Sequence, residues 1–299
     1  MTAKMANTRI ITQAFEYLVP KTIPEILDLL KRYGQQAKII AGGTDLVNQL
    51  KQEKISPAYL INVMNIPELR FMKENGGLII GAATKLRDLR EYCLKRGKYT
   101  ALYEAISVLG KPQVWNMGTV GGNLCNASPA ADTAPPLLVF NGRVKLAGQK
   151  GERTLPLEDF FRGVNVTAMA PDEMMVAVEV DPMHESVGSA FMKTARVGAD
   201  VSKISCAVAL ERKGDRCLSC RIALGAVAPV PMRAKAAEAM LREKKIEASL
   251  VEAAGKRVAA EVKPIDDVRS TAEYRRHMAG VMFKDVFLRA WERAGGEKA

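Results

Sequence analysis

Two short segments of the sequence carry residue types that can hold an anion through the backbone, and each contains a Gly-Gly pair. The first is IIAGGTDL at residues 39–46, and the second is TVGGNLCNASPAAD at residues 119–132. Consecutive glycines allow positive φ angles and let a ligand come close to the bare backbone. Successive N–H groups in such a turn form a concavity suited to phosphate. A single Gly-Gly turn is usually structural, but two of them predict one diphosphate held from both sides.

The elements around these segments are expected to position them as a ligand site. Residues 38–41 have the pattern of a short buried strand, and helical character resumes at residues 45–51. That order directs the N-terminus of a helix at the first turn, where the helix dipole favours an anion. The second segment is predicted to lie in a long coil rich in Asn, Ser and Pro. Neither segment matches the dinucleotide fingerprint G-x-G-x-x-G, so a Rossmann fold is disfavoured.

The pair A-G-G-T-D-L and T-V-G-G-N-L-x-x-A-S-P-x-x-D resembles the FAD-binding subunit of the molybdenum hydroxylases, over about residues 8–293. That family includes the medium subunit of aerobic carbon monoxide dehydrogenase and the flavin part of xanthine dehydrogenase, and the variant LCNASPAADTAPP is most similar to the xanthine dehydrogenase type. The resemblance implies an α+β fold: a two-subdomain FAD-binding domain of the PCMH/vanillyl-alcohol-oxidase type, followed by a C-terminal antiparallel sheet plus helices. The expected limits are residues 1–62 and 63–181 for the two FAD-binding subdomains and 182–299 for the C-terminal α+β domain.

The resemblance implies FAD as the cofactor and assigns its contacts to particular residues. Backbone groups of the first turn would hold one side of the pyrophosphate: Ala41, Gly42, Gly43 and Thr44. Groups of the second turn would hold the other side: Thr119, Gly121, Gly122 and Asn123. Further members of the two segments complete the predicted site: Ile39, Ile40, Asp45, Leu46, Val120 and Ser128. No residue is assigned a catalytic role.

Four more residues carry specific expectations from the same resemblance. Asp132 would hydrogen-bond the ADP portion or the ribityl chain of FAD. Thr84 matches a position beside the flavin, although it could equally be the N-cap of the next helix. Lys193 would lie near the flavin ring, where a cation stabilises the reduced anionic flavin; the alternative is a solvated strand lysine, because lysine is seldom buried. Trp115 stands where family members commonly have Arg, and we expect it to fill the core rather than pack on the flavin.

Composition and charge narrow the class of protein. The net charge is +11, from 44 basic and 33 acidic residues, but the basic residues are scattered and form no stripe interleaved with aromatics. An anionic cofactor and acidic partner subunits therefore explain the charge better than nucleic acid does. No apolar run reaches the ~18 residues that a transmembrane helix needs, and the first residues lack a hydrophobic signal region. The sequence thus predicts a cytoplasmic protein without a membrane span.

The cysteines and histidines do not form a site of their own. Five cysteines, an odd number, predict reduced thiols rather than a disulfide framework. Cys217 and Cys220 form a C-x-x-C, but they are predicted to lie on one strand, where positions i and i+3 face opposite sides. Cys220 would then be a core residue, and no second cluster completes four metal ligands. His184 and His277 have no spacing typical of a metal site or a catalytic triad, which fits an enzyme whose chemistry belongs to its cofactor.

The pattern of the third unit predicts an antiparallel sheet and helices. Strands are expected at residues 189–195, 204–211 and 217–226, with a hairpin turn at 213–215, because apolar and polar residues alternate there. Helices are expected at residues 233–243, 248–261 and 271–293, the last resembling the family's closing helix signature.

Two classes of function follow from the sequence. In the first, the chain is the flavin subunit of a molybdenum hydroxylase that passes electrons between iron–sulfur clusters and a soluble acceptor such as NAD. Its partners would be a molybdopterin-binding large subunit and a [2Fe-2S] small subunit. In the second, the chain is a phosphate- or nucleotide-binding module without redox turnover. An oxidised-flavin spectrum would discriminate between the two.

Overall fold

The computed structural model describes residues 10–184 and 186–294, which form three β-sheets, a two-stranded hairpin and the helices that pack on them. The helices are α1 Ile23–Tyr33, α2 Leu46–Lys51, α3 Leu86–Arg96, α4 Thr100–Val108, α5 Pro112–Met117, α6 Val120–Cys125, α7 Ala134–Val139, α8 Leu157–Phe160, α9 Lys235–Leu241, α10 Ala248–Glu261 and α11 Ala272–Ala294. The strands are β1 Glu16–Leu18, β2 Ala37–Ile40, β3 Tyr59–Asn62, β4 Met72–Glu74, β5 Leu78–Gly81, β6 Arg143–Gly148, β7 Gly151–Pro156, β8 Phe161–Gly163, β9 Val166–Thr167, β10 Met174–Val180, β11 Val187–Thr194, β12 Ile204–Lys213, β13 Arg216–Gly225, β14 Met232–Arg233 and β15 Lys244–Lys245.

The first unit is a three-stranded parallel sheet in the order β1-β3-β2, covered by α1. Helix α1 begins at a capping box: the Thr22 hydroxyl accepts from the backbone N–H of Glu25 at 3.3 Å. It ends at Gly34, which has a φ of +50°. Strand β2 runs directly into the first Gly-Gly turn, and α2 follows at once. The predicted strand–turn–helix order is therefore confirmed, whereas β1 was not predicted.

The second unit is a five-stranded antiparallel sheet in the order β4-β5-β10-β6-β7. Helices α3, α4 and α7 contribute to the apolar core that this sheet shares, with Phe140 and Phe160 fully buried in it. Helix α3 ends at the left-handed Gly97. Strands β4 and β5 form a hairpin, and β10, the last strand of the sheet in sequence, lies at its centre between β5 and β6. Residues 82–142 connect β5 to β6, and the second Gly-Gly segment belongs to this connection.

The third unit is an antiparallel sheet in the order β11-β12-β13-β14, with β15 paired to the start of β13. Its strands and its hairpin turn at residue 214 match the predicted pattern. Helices α9, α10 and α11 bury one face of the sheet, with Phe283 and Phe287 fully buried at its centre. The predicted helix at residues 248–261 has those bounds in the structure, and the closing helix spans residues 272–294.

A β-bulge in β13 overturns one expectation about the cysteines. Glu211 pairs with Ser219 and Arg212 pairs with Cys217, so Leu218 is an extra residue without a partner. The bulge shifts the alternation of the strand by one residue. Cys217 and Cys220 are consequently both buried in the same apolar cluster. Cys220 is a core residue as predicted, but the prediction that the two cysteines face opposite sides is wrong.

The second and third units pack against each other and share one apolar core. Phe191, Ala207 and Ala223 of the third sheet belong to the same apolar cluster as the core of the second unit. The Arg293 guanidinium donates to the Glu104 carboxylate at 2.6 Å, which joins α11 to α4. These contacts hold the third sheet against the second unit, which contains the second Gly-Gly segment. Within the described ranges, no helix is long and apolar enough to cross a membrane.

Candidate functional site

The first Gly-Gly turn presents a run of backbone N–H groups without acceptors. From Ala41 to Asp45, no N–H group has a hydrogen-bond acceptor in the part of the chain that the structure describes. The residues of the turn are partly or fully exposed, so a ligand can reach the turn. Gly43 has a φ of +71°, which other residues adopt at a cost. Consecutive unpaired donors at a sharp turn before a helix form the concavity that binds phosphate.

The second Gly-Gly segment is helical, which corrects the prediction that it lies in a coil. Thr119 caps α6: its hydroxyl accepts from the N–H of Gly122 at 3.0 Å. The N–H groups of Val120 and Gly121 donate to the carbonyls of Thr84 at 3.1 Å and Ala82 at 2.9 Å. The coil begins only after Cys125. Because these N–H groups are already paired, they are not free to bind a ligand. A ligand can contact this segment only along its exposed side.

The structure brings the two segments close together, through residues that adjoin each of them. A Cβ atom added at Gly42 would lie 1.8 Å from the carbonyl oxygen of Met117, so only glycine allows this approach. The side chain of Gln49 donates to the Asn126 side chain at 3.1 Å, which joins α2 to the end of α6. The free N–H groups of the first turn therefore lie beside the second segment, as two halves of one diphosphate site would require.

Asn123 and Gly122 form an accessible face of the helical part of the second segment. The Thr133 hydroxyl donates to the Asn123 side-chain oxygen at 2.6 Å, which orients the amide. The Asn123 amide nitrogen has no acceptor within the described ranges, so it stays available as a donor. Gly122 is exposed, and a Cβ there would contact only the Thr119 hydroxyl, at 2.9 Å. This face of α6 can therefore hold an oxygen-rich ligand against the first turn.

Asp132 and Lys193 pair with each other across 61 residues of sequence. The Lys193 ammonium donates to Asp132 Oδ2 at 2.7 Å, and the Ser202 hydroxyl donates to Oδ1 at 2.6 Å. Both ion-pair side chains are only 6% exposed, so Lys193 is not the solvated lysine of the alternative interpretation. Burial raises the pKa of Asp132, while Lys193 and Ser202 act in the opposite direction. The third sheet thus reaches the second segment through one buried ion pair.

Thr84 supports the start of the second Gly-Gly segment through hydrogen bonds. Its hydroxyl donates to the carbonyl of Phe71 at 3.0 Å, and its own carbonyl accepts from Val120. The interpretation of Thr84 as an N-cap is wrong, because Lys85 occupies that position of α3.

Trp115 is partly buried and lies at the edge of the core rather than filling it. It packs against the apolar cluster of the second unit, and its indole N–H donates to the Leu109 carbonyl. The Arg90 guanidinium lies over its ring, 5.1 Å from the centroid.

Exposure divides the predicted site residues into two groups. One group is accessible and can touch a ligand: Ile39, Ile40, Ala41, Gly42, Gly43, Thr44, Asp45, Leu46, Gly122, Asn123 and Ser128. The other group is buried and can only hold the first in place: Thr84, Thr119, Val120, Gly121 and Asp132. Ser128 is ordered by a local turn, in which its hydroxyl accepts from the N–H of Ala130 at 3.2 Å.

Several supporting residues were missed by sequence reasoning. Met117 supplies the carbonyl that faces Gly42, Thr133 orients Asn123, and Ser202 completes the Asp132 ion pair. Thr133 directly follows Asp132, so a polar residue beside the motif was a usable signal. The other two are recognisable only once the chain is folded.

The site fits the diphosphate of FAD. A diphosphate needs several donors on one side and space on the other. The turn from Ala41 to Asp45 supplies the donors, while Gly122 and Asn123 leave the space. Partial burial raises the pKa of the Asp45 carboxyl at the edge of the turn.

Comparison with known proteins identifies the family. The model of the FAD binding domain in molybdopterin dehydrogenase matches residues 13–182, and that of the CO dehydrogenase flavoprotein C-terminal domain matches residues 189–290. The chain is 34% identical to the carbon monoxide dehydrogenase medium chain of Hydrogenophaga pseudoflava, over 95% of this chain and 99% of that one. It is 33% identical to the xanthine dehydrogenase FAD-binding subunit of Escherichia coli O157:H7, over 92% and 96% of the two chains.

A solved structure shows the same fold. The carbon monoxide dehydrogenase of Hydrogenophaga pseudoflava lacking the Mo-pyranopterin moiety superposes with a TM-score of 0.92 at 35% identity, over 95% of this chain and 99% of that one. The α+β architecture inferred from the sequence is thereby confirmed. With the fold, the paired glycine turns and both family models in agreement, this chain belongs to the family of FAD-binding flavoprotein subunits of the molybdenum hydroxylase-type dehydrogenases.

Proposed function

We propose that this chain is the electron-transfer subunit of a multi-subunit molybdenum hydroxylase. It passes electrons between iron–sulfur clusters on a partner subunit and a soluble acceptor such as NAD. The observation that carries the proposal is the row of unpaired N–H groups from Ala41 to Asp45. It belongs to a turn that packs against Met117 and Gly118, just before the second glycine segment, in a chain that aligns with flavoprotein subunits over nearly its whole length.

The residues of the chain hold FAD mainly through its diphosphate. N–H groups of Ala41 to Asp45 would donate to one side of it, and the Asn123 amide would donate to the other, because none of these donors has an acceptor in the described part of the chain. Gly122 leaves room for the oxygens, because nothing but the Thr119 hydroxyl occupies the place of a side chain. Backbone donors are fixed in direction by the fold, so they need no reorganisation when the anion binds.

Bound FAD would supply both two-electron and one-electron transfer, so that the protein need only bind and orient it. The Asp132–Lys193 pair fixes the third sheet against the segment that carries Asn123 and Thr133. Lys193 also places a cation at this junction, where it would favour negative charge on a reduced flavin. In this proposal its role toward the flavin comes from the family resemblance, while its pairing with Asp132 comes from the structure.

The substrate site would lie on other subunits. The relatives named above are a medium chain and an FAD-binding subunit, names that describe one part of a larger enzyme. By analogy, the partners of this chain are a molybdopterin-binding large subunit and a [2Fe-2S] small subunit. Such clusters are normally held by grouped cysteine thiolates, whereas Cys93, Cys125 and Cys206 lie in separate elements of this chain.

The proposal is tested with the purified full chain reconstituted with FAD. We expect an oxidised-flavin spectrum that NADH bleaches, electron transfer onward to a dye, and no hydroxylation of purines, aldehydes or carbon monoxide. A chain that binds FAD tightly but whose flavin NADH does not reduce, and which passes no electrons from NADH to a dye, supports the binding module without redox turnover. Hydroxylation by this chain alone, in a sample without iron or molybdenum, contradicts the proposed division of labour.

A matched variant separates flavin chemistry from contamination. Gly122→Val fills the open face of α6, and we expect it to lose the flavin spectrum and the NADH-dependent dye reduction together. If the variant retains dye reduction without bound flavin, the activity belongs to another protein in the sample.

A further inference from the structure

A cavity of about 170 Å³ lies between the second unit and the third sheet. Phe140 and Asp181 line it from the second unit, and Val187, Glu211 and Arg221 line it from strands β11, β12 and β13. Of the described residues that line it, none belongs to either Gly-Gly segment. The flavin site therefore leaves this cavity without a role.

The cavity lies at the opposite end of the third sheet from the Asp132–Lys193 pair. Val187 of β11 pairs with Glu211, and Lys193 lies six positions further along the same strand. Six residues of a strand span about 20 Å, since each adds about 3.3 Å. Both ends face the second unit, so the cavity and the ion pair occupy two separate parts of one interface.

Arg221 brings a positive charge to the cavity without a matching anion. It pairs with Ala209 across the sheet, on the face that packs against the second unit, and it donates to the Val139 carbonyl at 3.2 Å. Within the described ranges, no carboxylate lies within 4 Å of the guanidinium. Burial, followed by repulsion from Arg233, lowers the pKa of Arg221, although Asp181 acts in the opposite direction. The guanidinium nevertheless stays charged, so an anionic group in the cavity would stabilise it.

Two carboxylates line the cavity, and only that of Glu211 lacks a cationic partner among the described residues. Asp181 accepts from the Arg143 guanidinium at 2.9 Å and from the Asn141 amide at 2.7 Å. Glu211 accepts from the Ser186 hydroxyl at 3.1 Å. The cavity therefore presents one unmatched carboxylate beside one unmatched guanidinium.

The two unmatched charges are neighbours on one face of the sheet. Arg221 pairs with Ala209, and Glu211 lies two residues further along the strand that carries Ala209. Cα atoms in such a diagonal position are about 7–8 Å apart, and in the described structure the two side chains form no ion pair. A ligand with a carboxylate and an ammonium group a few ångströms apart would bind to both, whereas a simple anion would be repelled by Glu211.

The rest of the lining and the volume set the size of the ligand. Phe140, Met183 and Val187 supply apolar surface. A volume of about 170 Å³ equals that of about six waters at ~30 Å³ each, and it is smaller than the ~300 Å³ at which pockets for drug-sized ligands begin. Pro182 and His184 also line the cavity and are exposed, which leaves a way in from solvent.

We propose that this cavity binds a free α-amino acid with a short apolar side chain. The Arg221 guanidinium holds its carboxylate, the Glu211 carboxylate holds its ammonium group, and Phe140 and Val187 contact its side chain. Because residues of both units line the cavity, the bound amino acid joins the third sheet to the second unit and stabilises the folded chain. The binding involves no covalent step and does not depend on FAD.

The binding is measured by isothermal titration calorimetry with L-leucine and the purified full chain. Two analogues each lack one charge: isocaproate has no ammonium group, and isoamylamine has no carboxylate. We expect leucine to bind at least about tenfold more tightly than either analogue, because a hydrogen bond to a charged group contributes that factor or more. Leucine is also expected to raise Tm. Absence of leucine binding at millimolar concentrations, or equal affinity for leucine and isocaproate, would overturn the proposal.

Two variants assign the contacts. Arg221→Gln and Glu211→Gln should each weaken leucine binding at least about tenfold. Glu211→Gln should leave isocaproate binding undiminished, since it removes a repulsive charge. Arg216→Gln makes the same change at an arginine of β13 whose side chain is 57% exposed and outside the cavity, and it should not alter leucine binding. Circular dichroism shows whether each variant is folded, and the comparison of the three ligands on the unchanged chain needs no variant.

A repeat with saturating FAD separates this cavity from the flavin site. We expect the same leucine affinity with and without FAD. Displacement of leucine by FAD, or unchanged leucine affinity in both cavity variants, would place the ligand elsewhere and overturn the proposal. A chain that fails to bind FAD but binds leucine in this way would contradict the proposed function and support the amino-acid site.

Discussion

The buried ion pair between Asp132 and Lys193 gives the sharpest prediction, because two proposed roles of Asp132 have different consequences. As a ligand of FAD, Asp132 would contribute about one neutral hydrogen bond, ~1 kcal/mol, and Asp132→Ala would weaken FAD binding roughly fivefold to tenfold without unfolding. As the partner of Lys193, it neutralises an ammonium whose side chain is only 6% exposed. Removing one member of a buried pair typically costs about 3–5 kcal/mol, because the other charge stays buried without a partner.

The structure favours the larger effect in the protein without FAD. Both carboxylate oxygens are occupied, one by Lys193 and one by Ser202. A loss of about 4 kcal/mol corresponds to a decrease of roughly 10 °C in Tm, since each kcal/mol is worth about 2–4 °C in a domain of this size. We therefore expect Asp132→Ala to lower the Tm of the FAD-free protein by about that amount, measured by circular dichroism, with a further loss of FAD affinity measured by fluorescence quenching.

Two controls make the result interpretable. Asp132→Ala combined with Lys193→Met removes both charges and keeps the volume of the lysine, so it should recover more than half of the lost stability. Asp215→Ala makes the same change in a surface pair whose side chains are 68% and 67% exposed, and it should shift Tm by at most about 2 °C. The reasoning would be refuted if the FAD-free Asp132→Ala protein had the same Tm as the unchanged protein. It would also be refuted if the double variant had a Tm as low as that of Asp132→Ala.

The remaining predictions concern the glycine turns and one further carboxylate. Gly43→Val and Gly122→Val should both abolish FAD retention on gel filtration. Both should also lower Tm, because residue 43 has a φ of +71° and a Cβ at residue 122 would lie 2.9 Å from the Thr119 hydroxyl that caps α6. Retention in both variants would contradict the two-turn site. Glu173 accepts two hydrogen bonds from Arg153 at 2.7 Å, and this contact lowers its pKa. The contribution of the Arg153–Glu173 contact to the free energy of unfolding is therefore present above the ordinary glutamate pKa and is lost as pH falls through the lowered value. The loss of stability caused by Glu173→Gln should be constant near neutral pH and vanish in acid. A loss of stability that grows in acid would contradict this prediction.

The sequence by itself determined most secondary-structure elements and the class of ligand, a diphosphate. The Thr22 capping box and the glycines at 34 and 97 set helix ends through contacts within a few residues, so such ends can be located from the local sequence. The first Gly-Gly turn was predictable for the same reason, since its conformation and its free N–H groups depend on neighbouring residues of one short segment.

Only the tertiary structure decided how these pieces meet. Asp132 and Lys193 pair across 61 residues, and each was proposed as a separate contact to FAD because nothing local connects them. The bulge at Leu218 depends on how β13 pairs with β12, so regular strand alternation gave the wrong faces for Cys217 and Cys220. Gly42 illustrates the general reason: its lack of a side chain is required by a carbonyl 75 residues further along the chain, at Met117, and such long-range contacts leave no periodic trace in the sequence.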